Sequence, residues 1–179
     1  HHIYGLLFTV LLPLVSGAPV AEATGALPQE ILRMLDETES TIFAGVPILY
    51  KALSKLAPGS PALSLAFSSA GTLDEKHARA FTDRFAAPVV EVYGSTETGG
   101  MATRCRAQGE KDGTPFPFID WRIKGGRLLV DSPFLSPDLP RETDGLARAG
   151  DRVVEAAPGT FRLLGRADTV VKVSGKRVD

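Results

Sequence analysis

The sequence predicts an α/β fold, a mostly parallel sheet flanked by helices, followed by a small antiparallel β subdomain. Three observations carry that expectation. Up to about residue 100, β-like apolar runs alternate with segments whose apolar residues recur at helical spacing. Beyond that point the texture turns to short β-rich runs joined by Gly-Gly or Pro-Gly. At 179 residues, with 44% hydrophobic and 23% charged residues, the chain has room for one cored domain or two small subdomains. The expected boundaries are residues 1–105, 106–165 and 166–179.

Each element has its own signal. Residues 4–16 read as a buried helix and 18–22 as a short strand after Gly17. In "LPQEILRMLDET", Leu27, Ile31, Leu32 and Leu35 share one face of a helix. "STIFAGV" is a strand, and Pro47 opens the helix "PILYKALSKL". "LSLAFSSAG" is the next strand, "LDEKHARAFTDRF" an amphipathic helix, and "APVVEVYG" a further strand broken at Gly94. Strands alternating with helices point to βαβ units. In the second part, "FIDWRIKGGRLLVDSPF" and "DRVVEAAPGTFRLLG" each read as a hairpin.

Composition excludes several classes of function. A net charge of −1 argues against a general electrostatic grip on nucleic acid or an anionic membrane. Cys105 is the single cysteine, so an internal disulfide and a thiolate cluster are both impossible, and a reducing cytoplasm fits. The three histidines (His1, His2, His77) have no metal-ligand spacing. Ile3 to Ala21 carries no charge and is long enough to be tested as a membrane span. Pro13, Gly17 and Pro19 interrupt it and no Lys or Arg flanks its start, so a soluble element is expected.

Four glycine-punctuated sites then line up. "FSSAGTL" and "EVYGSTETGG" each close a predicted strand. "ARAGDRVV" sets Asp151 between a glycine and a β run, and "LLGRADTVVKVSGKRVD" is dense in charge. In an open parallel sheet, ligands bind beyond the carboxyl ends of the strands, where the first two lie. An aromatic ring, hydroxyls, an acid and a base suit a nucleotide: a face to stack, donors for phosphate, carboxylates for ribose hydroxyls or a metal. Taken singly, Tyr93 reads equally as a packed strand-end aromatic, Asp151 as a turn cap, and Arg166 and Lys172 as a solvated face.

The ordered set resembles the adenylate-forming enzymes that include acyl-CoA and aryl-CoA synthetases. "YGSTETGG" is similar to their Tyr-Gly-x-Thr-Glu motif, "GD" to their ribose-binding aspartate motif, and "GRADTVVKVSGKRV" to their hinge motif. "HHIYGLLFTVLLPLVSGAPV" resembles the element lining the acyl pocket, and "FSSAGTL" the adenine-side loop. The resemblance implies that Tyr93 stacks on adenine, that Gly94 lets the backbone approach, and that Thr96 meets phosphate. It implies that Glu97 helps hold the magnesium ion of ATP and that Asp151 accepts from the ribose hydroxyls. Arg166 would reach the ribose and phosphate, Asp168 would be the pivot of a swinging domain, and Lys172 would lie near the cleft. His2 and Tyr4 would line the carboxylate pocket, with Ser69, Ala70 and Gly71 along its floor. Residues 1–105 would thus bind nucleotide and acyl group, and 166–179 would be the hinge.

The implied activity is ATP-dependent activation of a carboxylic acid, with coenzyme A or a carrier protein's phosphopantetheine as acceptor. Two alternatives stay open: an amino-acid-activating domain, and a non-catalytic nucleotide-binding or interaction module. Residues 1–21 hold no acid to pair with an α-ammonium group, which disfavours the first. The tryptophan usual before the aspartate motif is missing, since the text is "DGLARAGD". The family's phosphate loop would lie upstream of His2 and its catalytic-lysine domain beyond Asp179. The resemblance therefore implies a central piece of a longer enzyme, inactive by itself.

Overall fold

In the computed structural model, the described residues are all except 1–2, 24, 26, 57–62, 168–170, 174–175 and 179; for 171–173 and 176–178 only the backbone is described. They fall into two compact units. The first comprises His1–Glu91 with Cys105–Gly109, the second Val92–Arg104 with Glu110–Asp179.

The first unit opens with helical segments α1 (Ile3–Leu6) and α2 (Leu12–Ser16), joined by a π-spaced turn, Leu7–Leu11. Pro13 has no N–H to donate, and the preceding turn widens so that Leu12 N–H reaches Leu7 C=O. The sequence suggested a buried helix. Instead Tyr4 alone is buried in these segments, while Leu14 and Val15 are exposed. Only the face bearing Tyr4 and Phe8 packs, Phe8 lying against Phe67 with ring centroids 4.9 Å apart. The expected strand at 18–22 is irregular backbone, because Pro19 lacks a ladder donor and no strand among the described residues runs beside it. No helix among the described residues is long and apolar enough to cross a membrane.

Helix α3 (Pro28–Glu37) starts at Pro28, and Glu30 reaches back to accept from Leu27 N–H at 2.7 Å. Strand β1 (Ile42–Gly45) leads through α4 (Pro47–Leu53) to β2 (Leu65–Ser68). Asp74 caps α5 (Glu75–Phe85) by accepting from Lys76 N–H, and β3 (Val89–Ser95) follows. Strands β1 and β2 pair in parallel from Ile42↔Leu65 to Gly45↔Ser68; β2 and β3 do so from Ala66↔Val89 to Ser68↔Glu91. The predicted parallel α/β layer is thus present. Its core is aromatic: Phe43, Tyr50, Phe81 and Phe85 interlock, with Leu53, Leu73 and Val89 fully buried beside them.

The second unit takes β3 from Val92 onward, β4 (Gly99–Arg104) and β5 (Thr114–Pro115), the last two antiparallel. Strands β6 (Asp120–Lys124), β7 (Arg127–Asp131), β8 (Ala147–Glu155) and β9 (Phe161–Arg166) form an antiparallel sheet in that order. The β6–β7 turn, Gly125 and Gly126, holds φ of +58° and +72°, the pair of positive values that a tight hairpin turn demands. Met101, Leu128, Val130, Val153 and Phe161 make the core of this unit. The segments β10 (Val171–Val173) and β11 (Lys176–Val178) close the chain as an antiparallel pair.

Candidate functional site

In the first unit the loop at residues 69–72 leaves the carboxyl end of β2. Ala70 within it has φ +67°, a left-handed backbone that side chains other than glycine rarely adopt. Ser69 and Ala70 are half-buried and Gly71 is exposed. Tyr4 Oη donates to Phe67 C=O at 2.8 Å, and Tyr50 Oη donates to the same carbonyl. Burial pushes both phenols well above their ordinary pKa, partly offset for each by a backbone hydrogen bond at Gly45. Both therefore stay protonated and act as donors. Tyr4, expected to line an acid pocket, has its hydroxyl committed to this carbonyl.

In the second unit the turn between β3 and β4 is locked from within. Ser95 N–H donates to Thr98 Oγ1 at 3.1 Å, and Thr98 N–H donates to Ser95 Oγ at 3.2 Å. Thr98 is buried, whereas Thr96 and Glu97 project from the turn and are exposed. The backbone is pinned further where Ser136 N–H donates to Glu97 C=O at 2.7 Å. Gly94 does not break β3, as the sequence had suggested; it lies inside the strand. A Cβ there would sit 2.1 Å from Gly99 O, so the close approach requiring glycine is made by the chain's own backbone.

The same unit brings together three of the predicted residues. Tyr93 Oη donates to Asp151 Oδ2 at 2.7 Å, across 58 residues of sequence. Asp151 and Arg166 are partners across β8 and β9, with Arg166 Nη1 3.9 Å from Asp151 Oδ1. The Arg166 guanidinium lies over Gly150, where a Cβ would come within 2.8 Å of Nη1. Burial, then the Asp151 charge and the hydrogen bond to it, hold the Tyr93 phenol far above its usual pKa, with Arg166 opposing. Tyr93 is therefore a fixed donor, and its ring meets Phe161 edge-on at 5.8 Å. One oxygen of Asp151 is engaged by Tyr93; the other faces Arg166 at a distance too long for a strong ion pair.

Among the other predicted residues, His2 and Asp168 lie outside the described residues, and Lys172 lies in β10, opposite Arg177. Sequence reasoning passed over two residues. Thr98, one of the hydroxyls in "EVYGSTETGG", is buried and closes the turn with Ser95. Glu91 is a buried acid, legible in "VVEVY" because it shares the inward face of β3 with Val89.

The profile of the AMP-binding enzyme family matches residues 1–132. The chain belongs to the AMP-binding enzyme family. It is 30% identical to a 4-coumarate–CoA ligase of Rhodobacter capsulatus, aligned over 99% of this chain and 42% of the relative. It is 28% identical to a sulfoacetate–CoA ligase of Cupriavidus necator, over 99% of this chain and 40% of that protein. A malonyl-CoA ligase solved with methylmalonyl-CoA and AMP bound superposes with a TM-score of 0.81 at 26% identity, covering 98% of this chain and 44% of that one. The chain thus spans about two fifths of the length of the curated relatives it matches.

Proposed function

We propose that this chain is the nucleotide-handling part of an AMP-forming acid–thiol ligase. The observation that carries the reading is the Tyr93–Asp151–Arg166 cluster, which sets a carboxylate and a guanidinium side by side on adjacent strands. The substrate carboxylate attacks the α-phosphorus of ATP, forming an acyl-adenylate and releasing pyrophosphate. A thiol, of coenzyme A or of a carrier protein's phosphopantetheine, then attacks the acyl carbon and expels AMP. Asp151 accepts from the ribose hydroxyls through the oxygen that Tyr93 leaves open. Arg166 and Thr96 meet the phosphate charge, and Tyr93 together with Gly94 borders the base. Ser69, Ala70 and Gly71 form the loop on the adenine side.

Magnesium fits the donor set in one particular way. No group of three or more His, Cys, Asp or Glu ligands exists among the described residues. Glu97 would supply one carboxylate, and the substrate's phosphates with water would supply the rest, the usual manner for this ion. When bound, magnesium neutralises phosphate charge as it develops. Lys172, Asp168 as pivot, and His2 in the acid pocket belong to the same reading, as does the division into residues 1–105, 106–165 and 166–179. The acid is aryl or medium-chain acyl in type. A cytoplasmic setting suits a chain whose lone cysteine is a buried thiol.

The test is acid-dependent ATP–pyrophosphate exchange by the complete protein carrying this chain, against a panel of aryl and fatty acids. Exchange with at least one acid is expected. Glu97→Gln should lower it at least about a hundredfold, by removing a charged ligand from the phosphate region, without disturbing folding, since the side chain is exposed. Wild-type exchange rates in that variant at limiting magnesium would sink the assignment of Glu97.

A further inference from the structure

Three polar side chains are buried among the described residues: Ser68, Glu91 and Thr98. Thr98 is accounted for by the β3–β4 turn. Glu91 is not. A buried carboxylate is unfavourable unless it is paired and hydrogen-bonded, and an apolar residue at this inward strand position would avoid that cost. The carboxylate is fully engaged instead. Glu91 Oε1 accepts from Arg106 Nε at 2.8 Å, and Glu91 Oε2 accepts from the backbone N–H of Leu73 at 3.3 Å. Arg106 opens a short 3₁₀ turn, Arg106–Gln108, within the same compact unit.

Leu73 is the first residue after the loop at 69–72, and its own side chain is fully buried. The residue before that loop, Ser68, is the register partner of Glu91. Its hydroxyl is buried with no hydrogen-bond partner among the described residues. One residue earlier, Phe67 C=O is held by the hydroxyls of Tyr4 and Tyr50. The loop is therefore clamped on both sides, by two phenols before it and by Glu91 after it. Between the clamps Ala70 sits at φ +67°, a conformation that persists only where the surroundings over-determine it.

We propose that Glu91 is a positioning residue for the loop at 69–72, its carboxylate tying the Leu73 amide to the Arg106 guanidinium. This rests on the nucleotide-ligase reading above for its functional consequence, but not for the clamp itself. A loop held in its binding conformation before ligand arrives spares the ligand the cost of ordering it. Loss of Glu91 should therefore weaken nucleotide capture more than it slows chemistry.

The experiment combines peptide-resolved hydrogen exchange over residues 69–73 with KM and kcat for ATP in acid-dependent pyrophosphate exchange, all on the complete protein. Glu91→Ala should speed exchange of the Leu73 amide about tenfold and raise KM for ATP about tenfold, with kcat within about threefold of wild type. Glu91→Gln keeps one acceptor oxygen for two donors and turns an NH2 toward the other, so both readouts should fall between wild type and Glu91→Ala. If Glu91→Ala fails to fold, the double variant Glu91→Met/Arg106→Met replaces the pair with apolar bulk, and such swaps often preserve stability. It should show the same faster Leu73 exchange and raised KM. A Leu73 amide exchanging at the wild-type rate in either Glu91→Ala or the double variant would overturn the proposal, as would a loss confined to kcat. If the wild-type protein exchanged pyrophosphate with no acid, the ligase reading would fall, while the Leu73 exchange would still decide the clamp.

Discussion

Gly94→Ala should destabilise the second unit by about 3 kcal/mol or more, at the far end of what a single methyl group can do. The added Cβ would lie 2.1 Å from Gly99 O and 3.0 Å from Gly100 Cα, both backbone atoms, so no side chain can rotate out of the way. Strands β3 and β4 would have to separate at the turn whose closure depends on Ser95 and Thr98. Thr96 and Glu97, carried on that turn, would lose their fixed places with it. Urea unfolding followed by far-ultraviolet circular dichroism gives the measurement. A stability change below about 0.5 kcal/mol, within the range of an ordinary surface substitution, would show that the strands are not packed this closely.

Asp151 carries the second large expectation, and two substitutions separate its roles. Asp151→Ala strands the part-buried Tyr93 hydroxyl, which now donates to Oδ2 at 2.7 Å, and should cost about 1–3 kcal/mol of stability. Asp151→Asn keeps an acceptor for Tyr93 and should leave stability nearly unchanged. Both should weaken AMP binding about tenfold to a hundredfold, because a charged acceptor for the ribose hydroxyls is lost in each. Calorimetric titration with AMP, beside thermal unfolding, reads the two effects independently. Unchanged AMP affinity in Asp151→Asn would make Asp151 a structural partner of Tyr93 and nothing more.

What could be read in advance tracks how local each cause is. Helix α5 announces itself through Asp74 at its cap and the inward series Ala78, Phe81 and Phe85. The β6–β7 hairpin follows from Gly125–Gly126 between two β-rich runs. The parallel layer follows from the alternation of strand and helix. The misreadings have tertiary causes. Residues 18–21 are apolar, but a strand needs a neighbour, and among the described residues none runs beside them. Gly94 looked like a strand terminator because the Gly99 carbonyl that excludes a side chain there is brought in by the turn, not by the adjacent sequence. The exposure of Leu14 and Val15 likewise depends on which face of the helical segments finds a partner.

The candidate site was legible in its members more than in its bonds. Tyr93, Asp151 and Arg166 each stood out beside a glycine or in a charged motif, yet the hydrogen bond joining the first two spans 58 residues. Glu91 carried the plainest unread signal, an acid in phase with the buried valine of a strand. Periodicity of two assigns it to the inside, and an acid inside must have partners.

The central claim is that the acid's own oxygen attacks the α-phosphorus of ATP, and oxygen-18 follows that bond directly. The complete protein would be given a carboxylic acid labelled in both carboxyl oxygens, with ATP, magnesium and coenzyme A, and the released nucleotide analysed by mass spectrometry. Attack at the α-phosphorus followed by thiol displacement leaves one labelled oxygen in AMP. AMP heavier by one oxygen-18 is the expected result. Unlabelled AMP, or ADP with the label in inorganic phosphate, would contradict adenylate formation.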